Sequence, residues 1–258
     1  MPVSSRLNYS ASQADNYLRP PIILIHGAGG HHLYWPPQVR RLHGQRVFAL
    51  DLPGHGDSSG IAHSRVEDYT DAVVAFMREL RLNSAVLVGH SLGGAIAIDA
   101  ALRHSRQVLG LGLVGTGARL GVDAALLRSA SQDDTFHTTI SLLGKRSFGA
   151  GAPPRLKELA LKRMSEMRSA VLFDDLTACN EFDRMDQLGQ INVRTIILCG
   201  AEDQMTPVAY SRYLNERIAG STFQVFPDAG HMLMLERPAE VADVLGQFLD
   251  SIPYTPGR

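Results

Sequence analysis

The chain has 258 residues, with 25 basic and 26 acidic side chains, a formal charge of −1, 45% apolar residues and 20% charged ones. Near-neutrality argues against a protein that must neutralise a phosphate backbone or rest on an anionic membrane, so no nucleic-acid partner is expected, and the composition is that of a globular chain rather than a disordered one. No apolar run approaches the ~18 residues of a membrane span. The opening Met1 to Arg6 lacks an apolar signal core, and Cys179 and Cys199 are too few for a disulfide framework or a zinc cluster. Buried free thiols and a cytoplasmic address are the expectation.

Short aliphatic runs alternate with longer helical patterns, which is the mark of an α/β protein: a mostly parallel sheet flanked by helices. The predicted strands are Pro21–His26, Arg46–Leu50, Ala85–Gly89, Val108–Val114, Thr195–Cys199 and Thr222–Phe226. Their continuous apolar character suits strands buried on both faces. Between the second and third strands, Val66, Tyr69, Val73, Phe76, Met77 and Leu80 form one apolar stripe, predicting a helix over about Arg65–Leu82. Ser64 and Glu67 have the spacing of a capping box at its start. A further helix follows Ser91 through Ile96 and Ile98 towards Leu102. Pro207 and Pro238 suit the first turns of two late helices, with Thr206 as a side-chain cap for the first. Residues from Ile252 onward are expected to fray.

Between Val114 and Thr195 lie 80 residues, too many for a bare loop. They carry helical patterns, including Leu156, Leu159, Ala160, Arg163, Met164 and Met167. Residues 118–190 are therefore expected to be an inserted helical cap, with 1–117 and 191–258 forming the core domain. The blander possibility is a set of helices packed away from any site.

The residues that carry chemistry sit at strand ends. Gly89-His90-Ser91-Leu92-Gly93-Gly94 follows a strand and opens a helix, the context in which Gly-x-Ser-x-Gly makes a nucleophile elbow. Such a turn lifts the Ser91 hydroxyl clear of the sheet and turns the Leu92 N–H towards an anion forming beside it. Without that role it is only a glycine-rich turn for close helix packing. His26-Gly27-Ala28-Gly29-Gly30 closes the first strand, and the Ala28 N–H is the candidate second donor to the same oxyanion. The incomplete Gly-x-Gly-x-x-Gly pattern and the absence of a Walker sequence argue against a nucleotide site. Asp203, in Gly200-Ala201-Glu202-Asp203, and His231, in Pro227-Asp228-Ala229-Gly230-His231, complete the order Ser, Asp, His on three strand ends. A turn-capping aspartate and a packing histidine are the ordinary readings of those two residues alone. Glu202 is the nearest rival acid and Asp228 a weaker one.

Taken together, these segments and Asp51-Leu52-Pro53-Gly54-His55-Gly56-Asp57-Ser58 resemble the α/β-hydrolase family, in its serine-hydrolase, carboxylesterase-like branch, over about residues 20–250. The resemblance implies Ser91 as nucleophile, His231 as base, Asp203 as its orienting acid and the Ala28 and Leu92 N–H groups as oxyanion hole. It also implies a cap over the site and no cofactor or metal. Asp51 and His55 are then loop-bracing residues, and His90 packs beneath the elbow. Only about 20 residues precede Ile22, so the first strands are expected to be short or irregular. A serine at 91 is unlike the aspartate nucleophile of dehalogenases and epoxide hydrolases on this fold. The seven tyrosines, at 9, 17, 34, 69, 210, 213 and 254, also lie outside the cap, where epoxide hydrolases carry theirs.

The expected reaction is hydrolysis of a small or medium carboxylic ester through an acyl-enzyme, slowing as the His231 imidazole protonates. Candidate substrate contacts are Trp35, Phe136, Met164 and Met167, with His31 and His32 near the oxyanion loop. Arg119 is read as solvated surface. The alternatives are lactone opening or C–C bond hydrolysis by the same triad, cofactor-free perhydrolase or lyase chemistry, and a non-catalytic ligand receptor. The expected partner is a small-molecule ester, and the chain a monomer or homodimer.

Overall fold

The computed structural model describes residues 7–12 and 19–255; Tyr17 and the last three residues lie outside the described ones. Among the described residues, seven strands form one sheet: β1 (Tyr9–Ser12), β2 (Ile22–Ile25), β3 (Val47–Leu50), β4 (Ala85–His90), β5 (Val108–Val114), β6 (Arg194–Gly200) and β7 (Thr222–Phe226). Their order is β1-β3-β2-β4-β5-β6-β7. Every pairing is parallel except that of β1 with β3. The helices in chain order are α1 (Pro37–Arg40), α2 (Val66–Glu79), α3 (Leu92–Arg103), α4 (Ala124–Ala130), α5 (Asp133–Ser147), α6 (Pro154–Ser165), α7 (Ser169–Glu181), α8 (Val208–Arg217), α9 (Leu233–Glu236) and α10 (Pro238–Asp250).

Successive side chains of a strand point to opposite faces, so an unbroken apolar strand needs cover on both. Ile23 and Ile25 of β2 join one core cluster with Leu87 of β4 and Ile197 of β6, under α2 and α3. Ile22 and Leu24 join the other, with Val86, Val88 and Leu198, against α1 and α10. β7 departs from this pattern: only Phe226 is buried, and Val225 is 37% exposed. It is the sheet edge, so the expected burial on both faces fails there for want of a neighbour. β1 is a four-residue antiparallel edge strand, as short as anticipated.

Three local expectations are corrected. The Ser64–Glu67 capping box does not form: α2 starts after Arg65, which makes no side-chain cap. Glu67 instead pairs with Arg184, which also bonds Asp99 at 2.9 Å, so a tertiary ion pair takes the carboxylate the cap would need. Pro207 is the cap residue of α8 rather than its first-turn residue, and the Thr206 hydroxyl donates to Asp203 rather than accepting from a helix N–H. Ile252 does not fray. It is buried and lies where a side chain on Gly110 would stand, 2.6 Å from such a Cβ. Pro238 does open α10.

The 79-residue interval between β5 and β6 holds α4 to α7 and the short 3-10 helix Met185–Gln190. Residues of α5, α6 and α7 roof a cavity at the carboxyl ends of the strands. α6 ends at Ser165, so Met167 lies in the turn beyond it.

Candidate active site

Ser91 sits between β4 and α3 with φ 52° and ψ −117°, a conformation a side chain rarely adopts. The crossing on either side is too close for side chains. A Cβ on Gly89 would stand 2.0 Å from the Gly93 carbonyl oxygen, and one on Gly93 would stand 2.2 Å from that of Ile25. The turn is pinned by the Ser91 N–H donating to Val114 at 3.0 Å and the Thr116 hydroxyl donating to the Ser91 carbonyl at 2.8 Å.

Asp203 follows β6, and His231 follows β7. The His231 Nδ1–H donates to Asp203 Oδ2 at 2.9 Å, which sets the tautomer and leaves Nε2 free. Oδ2 also accepts from the Thr206 hydroxyl at 2.8 Å, while Oδ1 accepts from the N–H groups of Met205 and Thr206, each at 2.8 Å. Burial alone would raise the Asp203 pKa, but the His231 ring and the Thr206 donors outweigh it and hold the carboxyl below the ordinary range. The rival acids are occupied elsewhere. Glu202 accepts from the Ala150 N–H at 2.6 Å, and Asp228 is exposed beside Arg237.

Ser91 and His231 border the same cavity of about 80 Å3, without a hydrogen bond between Oγ and the ring in this conformation. Ala28 and Gly27 lie on its wall. Neither the Ala28 N–H nor the Leu92 N–H meets a protein acceptor among the described residues. The remaining wall is mostly apolar, with Tyr34, His90, Ser147 and Thr206 as its other polar members, and carries no Lys, Arg, Asp or Glu. Leu143 and Met164 reach it from α5 and α6, Leu172, Leu176 and Cys179 from α7, and Met205 and Met232 from the loops of the Asp and His.

Of the predicted substrate contacts, Met164 alone borders this cavity. Trp35 is fully buried in the core, and its neighbour Tyr34 lines the wall instead. Phe136 is buried within the second core cluster, together with neighbouring helical residues of the insertion. Met167, His31 and His32 line an adjoining polar cleft. The α7 residues were missed, although Leu172, Leu176 and Cys179 recur at the i, i+4, i+7 spacing of one helix face. Both cysteines are buried and free, and burial pushes both thiols upward. Arg119 is exposed, 3.9 Å from Asp183.

His90 is fully enclosed beneath the elbow, its Nε2–H donating to the His231 carbonyl at 3.0 Å. Burial, with the nearby His231, lowers its pKa to about 3, so it is neutral. Asp51 braces its loop by accepting from Asn8 Nδ2 at 2.8 Å, the His32 N–H at 2.6 Å and His32 Nδ1 at 2.9 Å. His31, His32 and Asp51 bring potential ligand atoms within 4.8 Å of one another, but these bonds already engage the carboxylate. His55 does more than brace its own loop, because its Nε2 meets Asp175 of α7 at 2.8 Å.

A parallel sheet with a strained serine, a histidine and an aspartate at its carboxyl rim defines an α/β hydrolase. The sequence matches the Alpha/beta hydrolase family over residues 22–244, and the chain belongs to that family. It is 30% identical over 250 residues to the AB hydrolase superfamily protein YisY of Bacillus subtilis, covering 90% of this chain and 92% of that protein. It is 29% identical over 245 residues to a pimeloyl-[acyl-carrier protein] methyl ester esterase of Chromobacterium violaceum, covering 90% and 95%. An enol-lactonase structure from Burkholderia xenovorans matches with a TM-score of 0.89 at 24% identity, covering 96% of this chain and 97% of that one. No helix among the described residues is long and apolar enough to cross a membrane.

Proposed function

We propose that the protein is a serine esterase that cleaves small, uncharged carboxylic esters through an acyl-enzyme. Hydrolysis of an ester bond is supported by the likeness to a named methyl ester esterase. Ser91 Oγ attacks the carbonyl carbon while His231 Nε2 takes its proton, because a neutral hydroxyl is a poor nucleophile. Asp203 holds the ring orientation and stabilises the imidazolium. The Ala28 and Leu92 N–H groups, free of protein acceptors, receive the oxyanion. The alcohol leaves with the proton from His231, and water cleaves the acyl-enzyme by the same route. Proton transfer requires Ser91 and His231 to close to hydrogen-bond distance when substrate binds, as is common when unliganded sites are loose.

The observation that carries this reading is the buried 2.9 Å His231–Asp203 pair sharing one cavity rim with a serine held at positive φ. The wall offers no cation for a substrate carboxylate, so neutral acyl groups are preferred over charged ones. Opening of a lactone, a cyclic ester, uses the same steps.

The test is labelling by a fluorophosphonate, with complete loss in Ser91→Ala, followed by a panel of p-nitrophenyl esters, lactones and vinylogous diketones. Turnover of short neutral esters is expected. A folded wild-type protein that neither labels nor turns over any ester would overturn the reading in favour of a ligand receptor.

A further inference from the structure

Away from the reacting atoms, one buried carboxylate ties three parts of the fold together. Asp175 is fully buried on α7. Its Oδ2 accepts from the Gly29 N–H at 2.8 Å and from His55 Nε2 at 2.8 Å, and its Oδ1 from the Tyr69 hydroxyl at 2.5 Å. The three donors come from the loop after β2, the Asp51–Ser58 loop and α2. The His55 Nδ1–H is also committed, donating to the Pro53 carbonyl at 3.1 Å. Both ring nitrogens thus face oxygens that can accept, an arrangement that suits the doubly protonated ring beside an ionised carboxylate. The pair is a buried imidazolium and carboxylate, with burial opposed on each side by the partner's charge.

The neighbours of each end give this contact its meaning. Gly29 follows Ala28, the proposed oxyanion donor, and has φ +66°. A Cβ there would stand 3.3 Å from Leu172 of α7 and 3.3 Å from Met164 of α6. The Gly30 N–H closes a turn onto the Gly27 carbonyl at 3.0 Å, so fixing the Gly29 amide fixes the orientation of the whole loop. On α7, Leu172, Leu176 and Cys179 form part of the cavity wall, with Asp175 between them.

We infer that Asp175 is a positioning residue that couples the seating of roof helix α7 to the geometry of the oxyanion loop. The inference rests on the reading of Ala28 as an oxyanion donor. An amide at 175 keeps the size but loses the charge, and replaces one accepting oxygen with an NH2 that cannot accept, so the Tyr69 donor on one side or the Gly29 and His55 donors on the other lose their acceptor. The loop then relaxes, and the loss appears where charge develops on the carbonyl oxygen rather than where substrate is first held.

In Asp175→Asn, kcat for p-nitrophenyl acetate is expected to fall about 10- to 100-fold with KM within about 3-fold. Affinity for an alkyl boronic acid, which mimics the tetrahedral state, should fall in step with kcat/KM. Hydrogen exchange of the Gly29 amide should quicken, while that of Leu52, held by His26 Nε2, should not. Should Asp175→Asn fail to fold, Tyr69→Phe, which removes the donor that holds Oδ1 and so loosens the carboxylate gripping Gly29, reports the same effects at about 3- to 10-fold. Unchanged Gly29 exchange, or a loss confined to KM, overturns the inference. A wild-type protein inert to fluorophosphonate refutes the nucleophile assignment instead, and Gly29 exchange still decides whether the clasp exists.

Discussion

At Ser91 the backbone has a conformation that costs on the order of 1–3 kcal/mol and persists because its surroundings over-determine it. Gly93 is one of those surroundings. Gly93→Ala would place a methyl against the Ile25 carbonyl, so a loss of several kcal/mol in urea unfolding, or no soluble protein, is expected. Asp203→Asn should fold, because Met205 and Thr206 still find an acceptor, yet lose on the order of 10^4 in kcat by the serine-protease precedent, since the amide no longer fixes the tautomer of His231. A loss in that variant of less than about tenfold would demote Asp203. With Asp203 held below the ordinary carboxylate range, it stays ionised from pH 5 to 8. These residues were legible in the sequence because short-range constraints mark them: a glycine on each side of a serine, and a turn after a strand. Trp35 was misplaced because a tryptophan after a ligand loop reads equally well as wall or core, and only its neighbours decide.

Helices seat on the sheet through their apolar faces, and a polar clasp then fixes their azimuth. Arg184, just before the 3-10 helix Met185–Gln190, bonds Asp99 of α3 at 2.9 Å and pairs with Glu67 of α2. Asp99 is fully buried and also accepts from Arg103 at 3.0 Å. Arg184→Ala leaves Asp99 one donor short in the interior, so urea unfolding should show a loss of about 1–3 kcal/mol with a midpoint shift and little change in m. A shift within about 0.3 kcal/mol would make the cluster a solvated surface pair. Ser64 and Glu67 have capping-box spacing, but a guanidinium 117 residues downstream competes for the same carboxylate and wins. Thr206 was likewise drawn from a helix cap to the aspartate beside it. Local propensity marks an element, and long-range charge decides how its ends are used.

Across the whole molecule, enclosed neutral imidazoles set how the fold responds to acid. Burial lowers the pKa of both His26 and His90 to about 3, from 6.5 for the free side chain. Between those values the unfolded chain takes up protons that the native state refuses, so the unfolded state binds more and stability falls as pH falls. This contribution is complete above about pH 6.5 and is lost progressively towards pH 3. Unfolding near pH 5 should therefore take up about two protons from this source, measurable as the slope of stability against pH. A stability that is flat from pH 6.5 to 4.5 would contradict the enclosed, neutral state of these rings.

The amino-acid order by itself determined a mostly parallel sheet, its strands β2 to β7, the helical interval after β5 and the three strand-end residues, because periodicity, glycine spacing and chain order are properties of neighbours along the backbone. Only the tertiary structure decided which face of α7 becomes cavity wall, that Tyr34 rather than Trp35 reaches it, and that a carboxylate 146 residues beyond Gly29 grips its amide. Those outcomes depend on which distant segments are brought within hydrogen-bond or van der Waals reach. Such interactions fall off over a few ångströms, and no local pattern records them.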